Sequence, residues 1–111
     1  MAASNHAKAI LLNDHLEKIS YLARSLSDEN RLRILLCVSE EKKSVNRVVD
    51  EVNLSQALVS HHLRELKRSL LVTTERSGPF VYYEMADARI LTILEQLNLL
   101  ATDLLAARKS F

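Results

Sequence analysis

Apolar residues recur at intervals of three and four along 6–26. Leu12, Leu16, Ile19, Leu22, Ala23 and Leu26 share one side, with Lys8, Asp14, Lys18 and Arg24 on the others. That period predicts an amphipathic helix over 6–26. Ser27 is placed to cap a second helix. Asp28 and Glu29 follow in its first turn, where carboxylates meet free amides and the positive end of the helix dipole. This helix is expected to run from Asp28 to Glu40 and to bury Leu32, Leu35 and Leu36, with Ile34 and Val38 as further candidates.

Glu40–Lys43 reads as a charged break. Ser44 then caps a short helix through Glu51, with Val45, Val48, Val49 and Val52 as its apolar positions. Four valines favour a strand as much as a helix, so the assignment depends on the residues downstream. Asn53 suits a left-handed C-cap, and Leu54 a buried plug in the turn. Ser55 caps a fourth helix over 55–69, with Val59, Leu63, Leu66 and Leu70 expected inside. Beyond it the pattern changes. Leu71–Glu75 and Phe80–Glu84 are rich in Val, Thr, Tyr and Phe and are joined by Arg76-Ser77-Gly78-Pro79, which predicts a hairpin. A last helix over 87–107 carries Ile90, Leu91, Leu94, Leu97, Leu100, Leu104 and Leu105. The predicted fold is mainly α with a small β-hairpin, ordered as a winged helix–turn–helix.

Composition supports long helices. The chain has 111 residues with one Gly and one Pro, adjacent at Gly78-Pro79, where an average domain of this size would hold roughly eight and five. Length allows one domain over 1–111, divided into helices 6–26 and 87–107, a helix–turn–helix at 44–69 and a wing at 71–84. A single cysteine, Cys37, makes no intrachain disulfide or thiolate cluster. No long uncharged apolar run spans a membrane, and the N-terminus lacks the basic start and apolar stretch of a signal peptide, so the cytoplasm is the expected compartment. Net charge is +1, but it is uneven. Residues 31–76 hold nine basic against six acidic side chains, and the flanks six against eight. A basic middle between acidic-leaning ends suits a DNA-binding core, and it also suits many neutral proteins.

The candidate chemistry lies on the fourth helix. With 59, 63, 66 and 70 turned inward, Gln56, Ala57, Ser60, His61, Arg64 and Arg68 face outward. Gln56, Ser60 and Arg64 are four apart and line up towards a major groove, where Gln pairs with adenine and Arg with guanine. Ser55, Ser60, Lys67 and Arg68 suit phosphates, and Arg76 at the hairpin tip suits a minor groove or backbone. The plainer reading is an ordinary polar surface helix, and the order of turn, cap and hairpin argues against it. His62 reads as a packed or hydrogen-bonding histidine rather than a metal ligand. No close Cys/His cluster, nucleophile elbow or HExxH is present, so an enzyme is not expected and no cofactor is implied. The apolar stripe of the end helices, Leu12, Leu16, Ile19, Leu91, Leu94, Leu97, Leu100 and Leu104, asks for a second subunit. The alternative is a winged-helix protein-interaction module that no longer reads DNA, for which apolar residues would be expected at 56, 60, 61 and 64.

LSDENRLRILL at 26–36, LSQALVSHHLRELKRSLLV at 54–72 and VYYEMAD at 81–87 together resemble the ArsR/SmtB family, over roughly residues 20–95. The resemblance implies a homodimeric winged-helix repressor that packs its first and last helices against their symmetry mates. It implies an inverted-repeat DNA operator as partner and a small-molecule or protein effector that weakens DNA binding. The family's effector is often a metal, and here the metal patterns are broken. Ser44 stands where a ligating cysteine would be expected, and Asp87, Arg89, Leu100 and Asp103 match the zinc positions of the last helix. Two carboxylates without histidines do not make a tetrahedral zinc site, so no metal is assigned. A redox response would have to use Cys37 alone, whose plainer reading is a small buried hydrophobe. Leu70 occupies the position usually taken by glycine after the recognition helix, so that cap is expected to use another residue's geometry.

Overall fold

The computed structural model describes residues 4–108; the ends of the expected domain span, 1–3 and 109–111, lie outside them. Its elements are α1 (Asn5–Asn13), α2 (Leu16–Ser25), α3 (Glu29–Glu40), β1 (Lys43–Ser44), α4 (Val45–Val52), α5 (Gln56–Arg68), β2 (Val72–Ser77), β3 (Phe80–Met85) and α6 (Ala88–Leu105). The single helix expected over 6–26 is two. Asn13, Asp14 and His15 are all weak helix formers whose side chains compete for the backbone. At the break His15 leaves the helical region (φ −127°, ψ 20°), and its N–H donates to the Leu12 carbonyl.

The helix expected after Ser27 is α3, and it is capped by Asp28 rather than Ser27. Asp28 is extended and its carboxylate accepts from the Arg31 N–H at 2.9 Å, while Ser27 Oγ donates back to the Arg24 carbonyl. The carboxylate at the cap meets the positive helix end directly. α3 is the central element. Ile34, Leu35 and Val38 are buried, whereas Leu32 is only half-buried and Leu36 is exposed, against expectation. The buried stripe is rotated because α4, α5 and β3 crowd one side of α3 and α6 touches it lightly. Val48, Val52, Val59, Leu63, Leu66, Leu71 and Val72 complete the core.

The wing is a three-stranded antiparallel sheet in the order β1-β3-β2. β2 and β3 pair from Val72 with Met85 to Ser77 with Phe80, so the loop is shorter than expected and consists of Gly78-Pro79 alone. Gly78 has φ +61°. Pro79 is fixed near −65°, so the turn is of the type with glycine at its first central position. β1 is unexpected. Lys43 and Ser44 pair with Tyr83 and Tyr82, tying the supposed charged break to the wing.

The end of α5 holds a further correction. Leu70 is not on the inner face; it is 79% exposed with φ +64°. Its N–H donates to the Lys67 carbonyl and that of Leu71 to the Leu66 carbonyl, both at 3.0 Å or less. These two bonds define the left-handed helix stop that normally uses glycine. Leu70 itself adopts the geometry that was expected of another residue, and Leu71 beside it is buried. Burying Leu71 offsets a left-handed leucine costing about 1–2 kcal/mol.

Candidate nucleic-acid interface

The helix–turn–helix is set by its caps. Ser44 Oγ accepts from Arg47 N–H at 3.3 Å to start α4, and Ser55 Oγ accepts from Leu58 N–H at 3.1 Å to start α5. Between them Asn53 is left-handed (φ 55°, ψ 45°), and its N–H closes on the Val49 carbonyl at 2.9 Å. Leu54 packs against the core beneath the turn. The valine-rich segment is helical because Val48 and Val52, one turn apart, are buried in this core. Tertiary packing overrides the valines' intrinsic preference.

α5 buries Val59, His62, Leu63 and Leu66. Ser55, Gln56, Ala57, His61, Arg64, Lys67 and Arg68 are exposed and Ser60 is half-buried, so the outward face holds the residues expected there. Arg76 is exposed near the end of β2. Charge pairing separates the cations. Arg68 lies 3.3 Å from Glu65, Arg47 is paired with Glu41 and Glu51, and Arg33 with Glu29. Among the described residues Arg64, Lys67 and Arg76 enter no ion pair. Their charge is available to a polyanion without breaking an internal contact.

His62 anchors this helix from inside. Its Nε2 lies 3.5 Å from Asp28 Oδ2, and its Nδ1 is buried without a hydrogen-bond partner. Burial holds its pKa below the ordinary histidine value against the opposing pull of Asp28. The imidazole is a packed, mostly neutral group.

Sequence reasoning missed Lys43. It is 1% exposed, and its Nζ donates to Glu40 and Glu51 at 3.2 Å and faces Cys37 Sγ at 3.6 Å. The alternation of β1 against β3 was the signal, and two residues are too few to show it. Cys37 is half-buried against the core, not fully buried. Burial pushes its thiol pKa up, and the Lys43 ammonium pulls it back only in part.

The apolar residues assigned to a subunit interface are mostly open. Leu12, Leu16, Ile19, Leu91, Leu97, Leu100 and Leu104 are exposed, and Leu94 alone packs against the core. A groove of about 450 Å³ between α3 and α6 is lined mainly by Leu32, Leu36, Leu91, Leu94 and Leu97. At the start of α6, Asp87 caps the helix through the Arg89 N–H at 2.9 Å and grips the Arg89 guanidinium at 2.8 and 3.2 Å. Arg89 holds the Asp87 pKa at about 2. The position matching a zinc histidine therefore carries a cation already bound to the neighbouring carboxylate. Among the described residues no three His, Cys, Asp or Glu side chains gather to hold a metal, and no helix is long and apolar enough to cross a membrane.

The family described as "Bacterial regulatory protein, arsR family" matches residues 28–74, from the cap of α3 into the wing. The cadmium resistance transcriptional regulatory protein CadC of Listeria innocua is 36% identical over 82% of this chain and 77% of its own. The chain belongs to the arsR family. It is a winged helix–turn–helix transcriptional regulator, and its relatives are regulators rather than enzymes. The transcriptional activator HlyU of Vibrio cholerae is 29% identical over 85% of this chain and 78% of its own. The structure of reduced HlyU matches with TM-score 0.70 at 28% identity, over 80% of this chain and 94% of that one. The homodimeric winged helix–turn–helix DNA-binding domain of Mb0332 from Mycobacterium bovis shares the fold, with TM-score 0.71 at 23% identity over 93% and 92%.

Proposed function

We propose that the protein is a homodimeric repressor that binds an inverted-repeat operator, with one α5 of each subunit in successive major grooves on one face of the duplex. The observation that carries this reading is the outward face of α5 and the wing, where Arg64, Lys67 and Arg76 are exposed and unpaired while neighbouring cations are paired. Gln56 and Arg64 read base edges, and Ala57 meets a thymine methyl. Ser55, Ser60, Lys67, Arg68 and the α5 N-terminus take phosphates, with His61 beside them. Arg76 follows the adjacent backbone or minor groove. The open leucine face of α1, α2 and α6 is covered by the second subunit.

Repression follows from occupying the operator, in the cytoplasm where the DNA lies. An effector would act by binding one of two dimer geometries more tightly than the other. The interaction-module alternative is disfavoured because the exposed face of α5 is polar and cationic rather than apolar. Selection of genomic fragments at fixed salt, with sedimentation of the complex, tests the proposal. The expected result is a two-fold symmetric protected site with half-sites about 10 base pairs apart, or a multiple, bound by a dimer. Binding that selects no fragment would refute it.

A further inference from the structure

Between α2 and the start of α3 the surface dips into a recess of about 350 Å³ lined by Tyr21, Arg24, Ser25 and Arg31. Arg31 is half-buried and held in place, its Nη1 donating to the Ser25 carbonyl at 3.0 Å. Its Nε is buried and has no acceptor. Arg24 donates from Nη2 to Ser20 Oγ at 3.1 Å. Neither guanidinium pairs with a carboxylate among the described residues, although Arg33, Arg47, Arg68 and Arg89 each do. Glu29, the acidic residue nearest to Arg31 in sequence, pairs with Arg33, and Asp28 is otherwise engaged. Its Oδ2 accepts from the Arg31 backbone N–H at 2.9 Å and faces His62.

Two like charges thus line one concavity with no counter-charge between them. Their repulsion disfavours a cation there, and an anion would turn it into attraction. Planar guanidinium forks match the geometry of carboxylate and phosphate oxygens, and Tyr21, which also lines the recess, carries a hydroxyl able to donate. The recess has room for a phosphate and part of the molecule carrying it. It is more polar than the α3–α6 groove, which lacks cationic side chains altogether.

We propose that this recess is an oxyanion site that takes a phosphate or carboxylate group. The anion has two sources, a free small molecule or a backbone phosphate of bound DNA. Only the second rests on the DNA-binding reading. Through Asp28, which touches His62 on the inner side of α5, the site adjoins the recognition helix.

The test uses the full-length protein and inorganic phosphate as the probe. Thermal unfolding is followed as phosphate is raised against chloride at matched ionic strength, for the unaltered protein, Arg24→Gln and Tyr21→Phe. Arg24 is exposed, so its replacement leaves the fold intact, and the general salting effect of phosphate is common to all three proteins. A saturable rise in midpoint, with affinity weakened roughly tenfold in Arg24→Gln, the worth of one charge-assisted hydrogen bond, supports a free-anion site. The salt dependence of operator binding is measured for the same proteins. A slope flattened by about 1.8 per dimer in Arg24→Gln, without a phosphate effect, assigns the site to DNA backbone. If phosphate acts equally on all three proteins and the slope is unchanged, the proposal is overturned. Because the phosphate arm contains no DNA, failure to bind any operator leaves it intact as a separate result.

Discussion

Replacing Lys67 and Arg64 separately with alanine distinguishes a backbone contact from a base contact on one helix. Both side chains are exposed and unpaired, so neither substitution should move stability by more than about 0.5 kcal/mol. Lys67→Ala removes one phosphate contact per subunit and two per dimer. At about 0.9 per phosphate, the slope of log affinity against log salt should flatten by about 1.8. Between about 50 and 200 mM salt the unaltered protein should then lose roughly twelvefold more affinity than the variant. Arg64→Ala removes two guanine contacts per dimer at about 1–3 kcal/mol each. Operator affinity should fall roughly 30-fold to 10⁴-fold, with the slope nearly unchanged and little loss on scrambled DNA. Arg68 is held 3.3 Å from Glu65, so Arg68→Ala should flatten the slope less than Lys67→Ala. Fluorescence anisotropy of labelled duplexes over a salt series reads all three. An unchanged slope in Lys67→Ala, or equal loss on operator and scrambled DNA in Arg64→Ala, would refute the assigned face.

Other outcomes concern the inner side of the fold. Lys43→Ala deletes three buried methylenes and leaves a cavity, so the urea midpoint should report a loss of about 2–4 kcal/mol. Lys43→Met should lose no more than about 1.5 kcal/mol, because Glu40 and Glu51 remain exposed enough to be hydrated; equal losses would show that ion pairing, not packing, holds β1. Burial lowers the His62 pKa from 6.5, while Asp28 and Glu65 oppose the shift and Arg31 and His61 reinforce it. The unfolded chain therefore binds the proton more readily, and the contribution of neutral His62 is present above 6.5 and lost as pH falls from there through the lower folded-state pKa. The urea midpoint should drop less on acidification in His62→Gln than in the unaltered protein, and an identical drop would contradict this. Burial also raises the Cys37 thiol pKa, so at neutral pH maleimide should modify Cys37 more slowly than it modifies a free thiol. Faster modification would reverse the assignment of a quiet cysteine.

Periodicity and caps were enough to read the Asn53 turn, α5 and the β2–β3 hairpin, because each is specified within a few residues by a serine cap, a left-handed asparagine or an adjacent Gly-Pro; the valines of α4 are helical only because Val48 and Val52 are buried, and β1 was not foreseen. The outward residues of α5 were legible for the same reason. Once Val59, Leu63 and Leu66 turn inward, helical geometry places Gln56, Ser60 and Arg64 on the far side. Two of the three family-like segments, 54–72 and 81–87, lie within the same local stretches.

The remaining features depend on which elements meet. Leu36 and Ile34 are equally apolar, and only the crowding of α4, α5 and β3 on one side of α3 decides that Ile34 is buried and Leu36 faces the open α3–α6 groove. Lys43 sits in a charged run, yet pairing with Tyr83 draws it inside, where Glu40 and Glu51 from two helices meet its ammonium. Leu70 accepts a left-handed backbone because the chain must turn from α5 into β2 while Leu71 is buried. Local signals come from short-range sterics and hydrogen bonding, whereas burial, buried charge and backbone strain are settled by contacts between residues distant in the chain.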